Sequence, residues 1–390
     1  MKARHTYGKG WVLLLLFSTA LGASRGMPAQ DAGSRDADWT KTLQQAASLS
    51  EKRQFSEASA KLMQVLAADP QNPQALTQLA EIRLQEGDRT EAFHLLERAL
   101  ASSPNAPAAN LAMGNLLLQA QHEAEAMDRF ETVLSTDLRN GAAREGEVSA
   151  ATALALRAAN AGHHDAALAA LQHAARQLPD DPELQLDLGL QAIAAGQFPA
   201  ADAALHTALR LRPGDLKAVY GLARLEIEEQ HLPDAERDLK IYLAAQPNDA
   251  SAYFGLGHVY AMEQRVPEAR EAFETSVKLQ PQQTESYYQL GQIDLDLHEY
   301  DAAEALFRRV LGRAPAHAGA LTGMGQLALR SHQYATAEQY LVAAERSDPS
   351  YAPPHYFRGL ALAKLGRKDE AEDELRKGDS RPHAAGVPAK

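Results

Sequence analysis

The 390-residue chain has no cysteine. That excludes disulfide frameworks, cysteine-ligated zinc, thiol catalysis and bacterial lipoprotein anchoring. Aromatic residues are scarce, at 6%. With alanine abundant, the balance favours helix over sheet. Positive charge is in deficit: 39 Lys plus Arg against 51 Asp plus Glu leave a formal net charge of -12. A general binder of nucleic acid or anionic membranes is not expected from such a chain. Long hydrophobic runs are missing after the first twenty residues, so no later membrane span is expected. What remains, 45% apolar and 23% charged residues, is ordinary for a soluble folded protein.

Residues 1–23 read as a secretory signal peptide. Lys2, Arg4 and Lys9 form a basic leader, Trp11 to Ala20 an apolar run, and Gly22, Ala23 and Ser24 a small-residue exit. The run is shorter than the roughly 20 apolar residues of a membrane-spanning helix. Cleavage between Gly22 and Ala29 is therefore expected, with an uncleaved signal anchor as the alternative. The rest is expected to be periplasmic or secreted. Without cysteines, its stability must come from core burial alone. Residues 24–38, rich in Gly, Ala and Asp, read as a flexible linker.

Proline supplies a ruler for the remainder. Pro70 and Pro104 are 34 residues apart, and Pro179, Pro213, Pro247, Pro281, Pro315 and Pro349 continue at the same step. Only Pro104 to Pro179 differs, at 75, which is two periods plus seven. Leu138 stands where the missing proline would fall. A fixed period of this size indicates a stacked repeat array rather than two or three globular domains.

With each proline set at position 32, position 20 is alanine in all ten repeats: Ala58, Ala92, Ala126, Ala167, Ala201, Ala235, Ala269, Ala303, Ala337 and Ala371. Position 8 is only Gly or Ala, as in Ala223, Gly257, Gly291, Gly325 and Gly359. Position 24 is large and apolar, as in Phe130, Leu205, Phe273, Phe307 and Leu375. Two small positions twelve apart predict a close crossing of two antiparallel helices. Overfilling such a crossing costs about 1–3 kcal/mol. The proline closes each second helix.

The segment Tyr253-x2-Leu256-Gly257-x2-Tyr260, then Ala269-x3-Phe273, then Pro281, resembles the tetratricopeptide repeat (TPR) consensus, with Tyr in place of Trp. The resemblance covers about residues 39–378 and weakens at both ends, where position 7 is Gln45 and Arg358, and around Leu138. It implies an all-α, right-handed superhelical solenoid of about ten helix-turn-helix repeats. Repeats one to three occupy 39–140, repeat four 141–181, repeats five to ten 182–378, and a disordered tail 379–390. The first and last helices are half polar, as terminal repeats require. The seven extra residues, 141–147, fit two helical turns. Asn140-Gly141 is a credible cap of the preceding helix. One reading is a lengthened helix from about Ala142 to Ala161, weakened at Gly146 by up to about 1 kcal/mol; a plain loop is the other.

Chemistry is hard to find. The 14 histidines contain no H-E-x-x-H. His122, His163, His231, His298 and His332 all fall at positions 15–16, the turn between the paired helices, and are expected to be exposed rather than metal ligands. His163 and His164 are adjacent and cannot face one ligand from a regular helix. Gly255-x-Gly257 and Gly323-x-Gly325 lie inside helices with no strand before them, so a phosphate loop fails its context. No catalytic constellation, metal site or cofactor is expected.

The resemblance implies a concave groove lined by first-helix positions near 2, 5, 9, 12 and 13. Position 5 is Tyr220, Phe254, Tyr288 and Tyr356, interrupted by Thr322; position 9 holds Arg224, His258, Gln292 and Gln326. The same slots in repeats four and five are Thr152, Leu156, Leu186 and Leu190, mostly apolar. An aromatic ladder beside a polar row would suit an extended protein or peptide ligand. The competing view is that the rings only pack against the next repeat. The Lys-and-Asn pair with which some chaperone-adaptor TPR domains hold a terminal carboxylate occurs in no repeat. The expectation is an exported scaffold that binds a protein or peptide and catalyses nothing. The alternative is a periplasmic part of an exopolysaccharide export system that contacts glycan or its synthase.

Overall fold

The computed structural model describes residues 30–379, with side chains from 39 to 378. The signal segment 1–23 and the tail after Asp379 lie outside the described residues. Twenty helices and no strand occur among the described residues. They alternate as paired helices: α1 (Gln30–Glu51) and α2 (Phe55–Ala68), α3 (Pro73–Glu86) and α4 (Arg89–Ser102), α5 (Pro107–Gln119) and α6 (Glu123–Leu134), α7 (Gly141–Asn160) and α8 (His164–Gln177), α9 (Pro182–Ala194) and α10 (Phe198–Leu211). The series continues with α11 (Leu216–Glu228) and α12 (Leu232–Ala245), α13 (Ala250–Met262) and α14 (Val266–Leu279), α15 (Thr284–Asp296) and α16 (Tyr300–Arg313), α17 (Ala318–Arg330) and α18 (Tyr334–Ser347), α19 (Pro353–Lys364) and α20 (Lys368–Asp379). Helix α1 starts at Gln30, so residues 30–38 are helical and not the expected linker. No proline follows Pro28 in that stretch, and a single glycine, Gly33, does not stop a helix already continued by the first repeat.

The chain forms two compact units, 1–116 and 117–390, with the division inside α5. In the first, α1 packs on α2, α2 on α3, α3 on α4, and α1 also on α3. In the second, each helix packs on its neighbours in sequence. First helices also touch first helices: α7 with α9, α9 with α11, α11 with α13, α15 with α17 and α17 with α19. Those contacts make the first helices one continuous wall within each run.

The small columns do what their spacing predicts. The position-20 alanines are buried in all ten repeats. A Cβ on Gly257 would lie 2.8 Å from the Phe273 ring, one on Gly291 2.7 Å from Phe307, and one on Gly325 2.7 Å from Leu341. The position-24 side chain therefore fills the space vacated at position 8 of its own repeat. It also reaches the following repeat, since a Cβ on Gly323 would lie 2.5 Å from Phe307. One large side chain thus closes a hairpin and mortars it to the next.

Position 15 adopts the left-handed conformation in every repeat, at Arg53, Gly87, Gln121, Gly162, Gly196, Gln230, Gln264, His298, His332 and Gly366. Four of these are glycine, which tolerates that backbone without strain. The first helices begin at side-chain caps: Asn72, Asn140, Asp181, Asp215 and Asp249 accept hydrogen bonds from backbone N–H groups of the first turn, so Asn140 caps the start of α7 and not the expected end of α6, whose C-cap is Ser135. His317 does the same for Ala320 through Nδ1, at 3.0 Å.

The seven inserted residues are helical: α7 runs unbroken over 20 residues. Counted from Gly141, Gly146 falls at position 6 and faces Phe130, as Gly323 faces Phe307. Counted from Val148, the end of α7 falls at the usual turn. The insertion is thus two turns placed between a front in register with repeat three and a back in register with repeat four. Gly146 is required by packing, because a Cβ there would lie 2.4 Å from the Phe130 ring.

Candidate binding face

The wall of first helices in the second unit carries the position-5 and position-9 rows. The rings lean toward the core. Tyr220 stacks on Tyr242, with centroids 4.8 Å apart. Phe254 lies 5.8 Å from Phe273 and joins the cluster around Leu239, Leu256 and Leu290. Tyr288 packs against Phe307 at 6.3 Å and His317 at 4.8 Å. A Cβ on Gly319 of the next repeat would sit 2.6 Å from the Tyr288 ring. All three rings are half-buried. Tyr356 differs: no repeat follows it among the described residues, and it is 51% exposed. The structure therefore does not present Tyr220, Phe254 and Tyr288 as free aromatic faces. They pack inward, and Tyr288 also packs against the next repeat.

The polar row reaches further out. Arg224 is exposed; His258, Gln292 and Gln326 are half-buried. Burial lowers the His258 pKa, with Glu228 of the previous repeat opposing it. Its ring stacks on Phe254, 6.4 Å away and inclined by 11°. Gln292 hydrogen-bonds the Tyr288 hydroxyl, which burial and Tyr351 push far above the usual phenol range. Beside the row stand exposed Glu228, Asp296 and Arg330. In repeats four and five, Thr152 donates to Asp187 Oδ2 at 2.8 Å across the joint between α7 and α9, Leu156 is 60% exposed, Leu190 is half-buried and Leu186 is in the core. The face can offer hydrogen-bond donors and acceptors along a line, with apolar ground at one end. It presents no nucleophile poised on a base.

The five turn histidines are exposed. None belongs to a metal-capable group of three side chains among the described residues. The group that does converge, Glu345, His355 and Glu374, lies elsewhere, among α18, α19 and α20. Sequence reading passed it over because its members are far apart in the chain. The signal was Arg358, a charge at position 7 where repeats six to nine hold Leu222, Leu256, Leu290 and Met324.

No helix among the described residues is long and apolar enough to cross a membrane. Two tetratricopeptide-repeat family models match, one over residues 43–107, 186–230 and 220–284, the other over 83–145 and 294–353. Comparison with curated proteins gives no significant match. Among solved structures, residues of MamA from Desulfovibrio magneticus RS-1 align at 24% identity and TM-score 0.39, over 44% of this chain and 97% of that one. Pseudomonas aeruginosa pilF aligns at 19% identity and TM-score 0.45, over 50% and 88%. Yeast Tom70 aligns at 14% identity and TM-score 0.42, over 88% and 85%. Taken together, the two family models cover well over half of the sequence, and the helix pairs, small columns and 34-residue register agree with them: the chain belongs to the tetratricopeptide-repeat family.

Proposed function

We propose that the protein is an exported scaffold that holds a protein or peptide partner on the first-helix wall of repeats six to nine and catalyses nothing itself. The observation that carries this reading is the row Arg224, His258, Gln292 and Gln326, repeated in register on helices whose apolar sides are already committed to the core. A row of donors and acceptors at one repeat's spacing suits an extended chain, whose own backbone groups recur regularly. Arg224 adds a planar, charge-assisted contact. Export rests on the leader of residues 1–23, with a periplasmic or secreted product. A glycan ligand would call for exposed aromatic faces to stack on sugar rings, and Tyr220 and Tyr288 are packed inward.

A photo-reactive residue placed at Arg224, His258 or Gln326 tests the wall, with Arg308, exposed on the second helix α16, as the comparison. The expected result is one recurring partner cross-linked from the wall positions and absent from the Arg308 control. Equal cross-linking from both sets would overturn the assignment.

A further inference from the structure

The joint between the last two repeats holds a set of groups that the binding face does not use. His355 on α19 lies between Glu345 on α18 and Glu374 on α20. Its Nδ1 is 2.7 Å from Glu374 Oε2 and 3.4 Å from Glu345 Oε1. His355 and Glu374 are 8% and 4% exposed. The two outer carboxylate oxygens are held from behind: Arg358 Nη1 donates to Glu345 Oε2 at 2.7 Å and lies 3.2 Å from Glu374 Oε1, and Lys377 Nζ reaches Glu374 Oε1 at 2.6 Å.

The inner atoms are not so well served. A ring nitrogen carries one proton and can donate it to one acceptor. Glu374 Oε2 takes it, and Glu345 Oε1 is left buried with no hydrogen bond. Leaving a buried acceptor unmet is costly. The two glutamates differ accordingly. Burial raises Glu345 despite Arg358. For Glu374, burial is outweighed by Lys377, His355 and Arg358, which leave it lowered.

We propose that Glu345 Oε1, His355 Nδ1 and Glu374 Oε2 form a binding site for a zinc-class divalent ion that ties α18 to the α19–α20 hairpin. One ion in place of the ring proton would satisfy all three inner atoms. A neutral imidazole nitrogen with two carboxylate oxygens is a zinc-type donor set. It offers too few oxygens for calcium, and magnesium prefers an all-oxygen octahedron. Arg358 and Lys377 fix the outer oxygens and so aim the inner ones, the part that outer-shell partners play in metal sites. Binding needs the Nδ1 lone pair: a neutral ring moves its proton to Nε2, and a protonated ring gives one up to solvent, so affinity falls at acid pH. This site is independent of what the first-helix wall binds.

The test uses the full chain, free of any added histidine tag and stripped with chelator, titrated with Zn2+ by calorimetry and followed by melting. The expected result is one saturable Zn2+ per chain and a raised melting temperature, with no response to Mg2+ or Ca2+. Glu345→Gln keeps an acceptor for Arg358, and His355→Gln keeps a polar side chain; each is expected to weaken binding more than tenfold. Co2+ should give the visible absorption of a low-coordinate N/O site in the parent and lose it in Glu345→Gln. No saturable Zn2+ binding, or binding that both variants retain, would mean a closed ion-pair network that takes no metal, and would overturn the proposal.

Discussion

Glu147 shows what one residue in the wrong slot does. Counted from Gly141 it is position 7, which elsewhere holds Leu222, Leu256 or Leu290, so α7 carries it fully into the core, at 0% exposure. Neither carboxylate oxygen finds a hydrogen bond. Burial first, then Glu131 and Asp128, push its pKa up from 4.5 to about 8. Between those values the unfolded chain has released the proton and the folded chain has kept it. The folded state then binds more protons, and stability from this group falls as pH rises through that window. One pKa unit corresponds to about 1.4 kcal/mol. Glu147→Gln is therefore expected to stabilise by about 2–4 kcal/mol at pH 8 and by little at pH 4.5, as read by denaturant unfolding at the two pH values. A gain independent of pH would remove ionisation from the account. Next to it, Gly146→Ala should destabilise by about 1–2 kcal/mol. Overpacking against Phe130 exceeds the helix-propensity gain of up to about 1 kcal/mol. A higher melting temperature for Gly146→Ala would show that the Phe130 ring gives way.

At the scale of the helix pair, the turn and the crossing tell different stories about legibility. The crossing was readable because its requirement is steric: at Gly257 and Gly291 even a methyl would crowd Phe273 and Phe307, and elsewhere position 8 is no larger than alanine, so positions 8 and 20 show in every repeat. The left-handed residue at position 15 was hidden. Arg53, Gln121, Gln230, Gln264, His298 and His332 occupy it at a strain of about 1–2 kcal/mol, offset by the packing of two helices. Gln264→Gly is accordingly expected to be neutral or stabilising by up to about 1 kcal/mol, and a clear loss on thermal melting would contradict the left-handed assignment. The aromatic row misled for a related reason. Spacing placed Tyr220, Phe254 and Tyr288 on one face of their helices. It did not reveal that the next repeat's first helix comes close enough, through Gly319, to cover a ring. Phe254→Ala with Tyr288→Ala is expected to lower stability by about 2–4 kcal/mol through lost packing. An unchanged melting temperature with lost capture would restore the rings as binding surface. The insertion lay between these cases: the count of seven was compatible with helix, and the fit of Gly146 to Phe130 is what made it so.

At the scale of the whole chain, one rule accounts for most of what is seen. Within each unit a hairpin buries its small column against its own large side chain and passes the remaining side of that chain to the next hairpin, so stability is built from nearest-neighbour contacts. Ion pairs decorate these joints, as where Arg265 joins Glu236 at 2.8 Å and lies over the Tyr260 ring at 4.3 Å. Such partly exposed pairs contribute little each. The repeat architecture was legible because it recurs ten times; the partner was not, because binding asks only for a surface, and Arg224 or Gln326 looks like any polar residue until the wall is assembled. The most direct measurement is capture by a double variant on that wall, Arg224→Glu with Gln326→Glu, two side chains outside the buried core. The account expects helicity and melting temperature to match the parent while recovery of the cross-linked partner drops at least tenfold. Full capture by the folded double variant would contradict the assignment of the wall as the binding face.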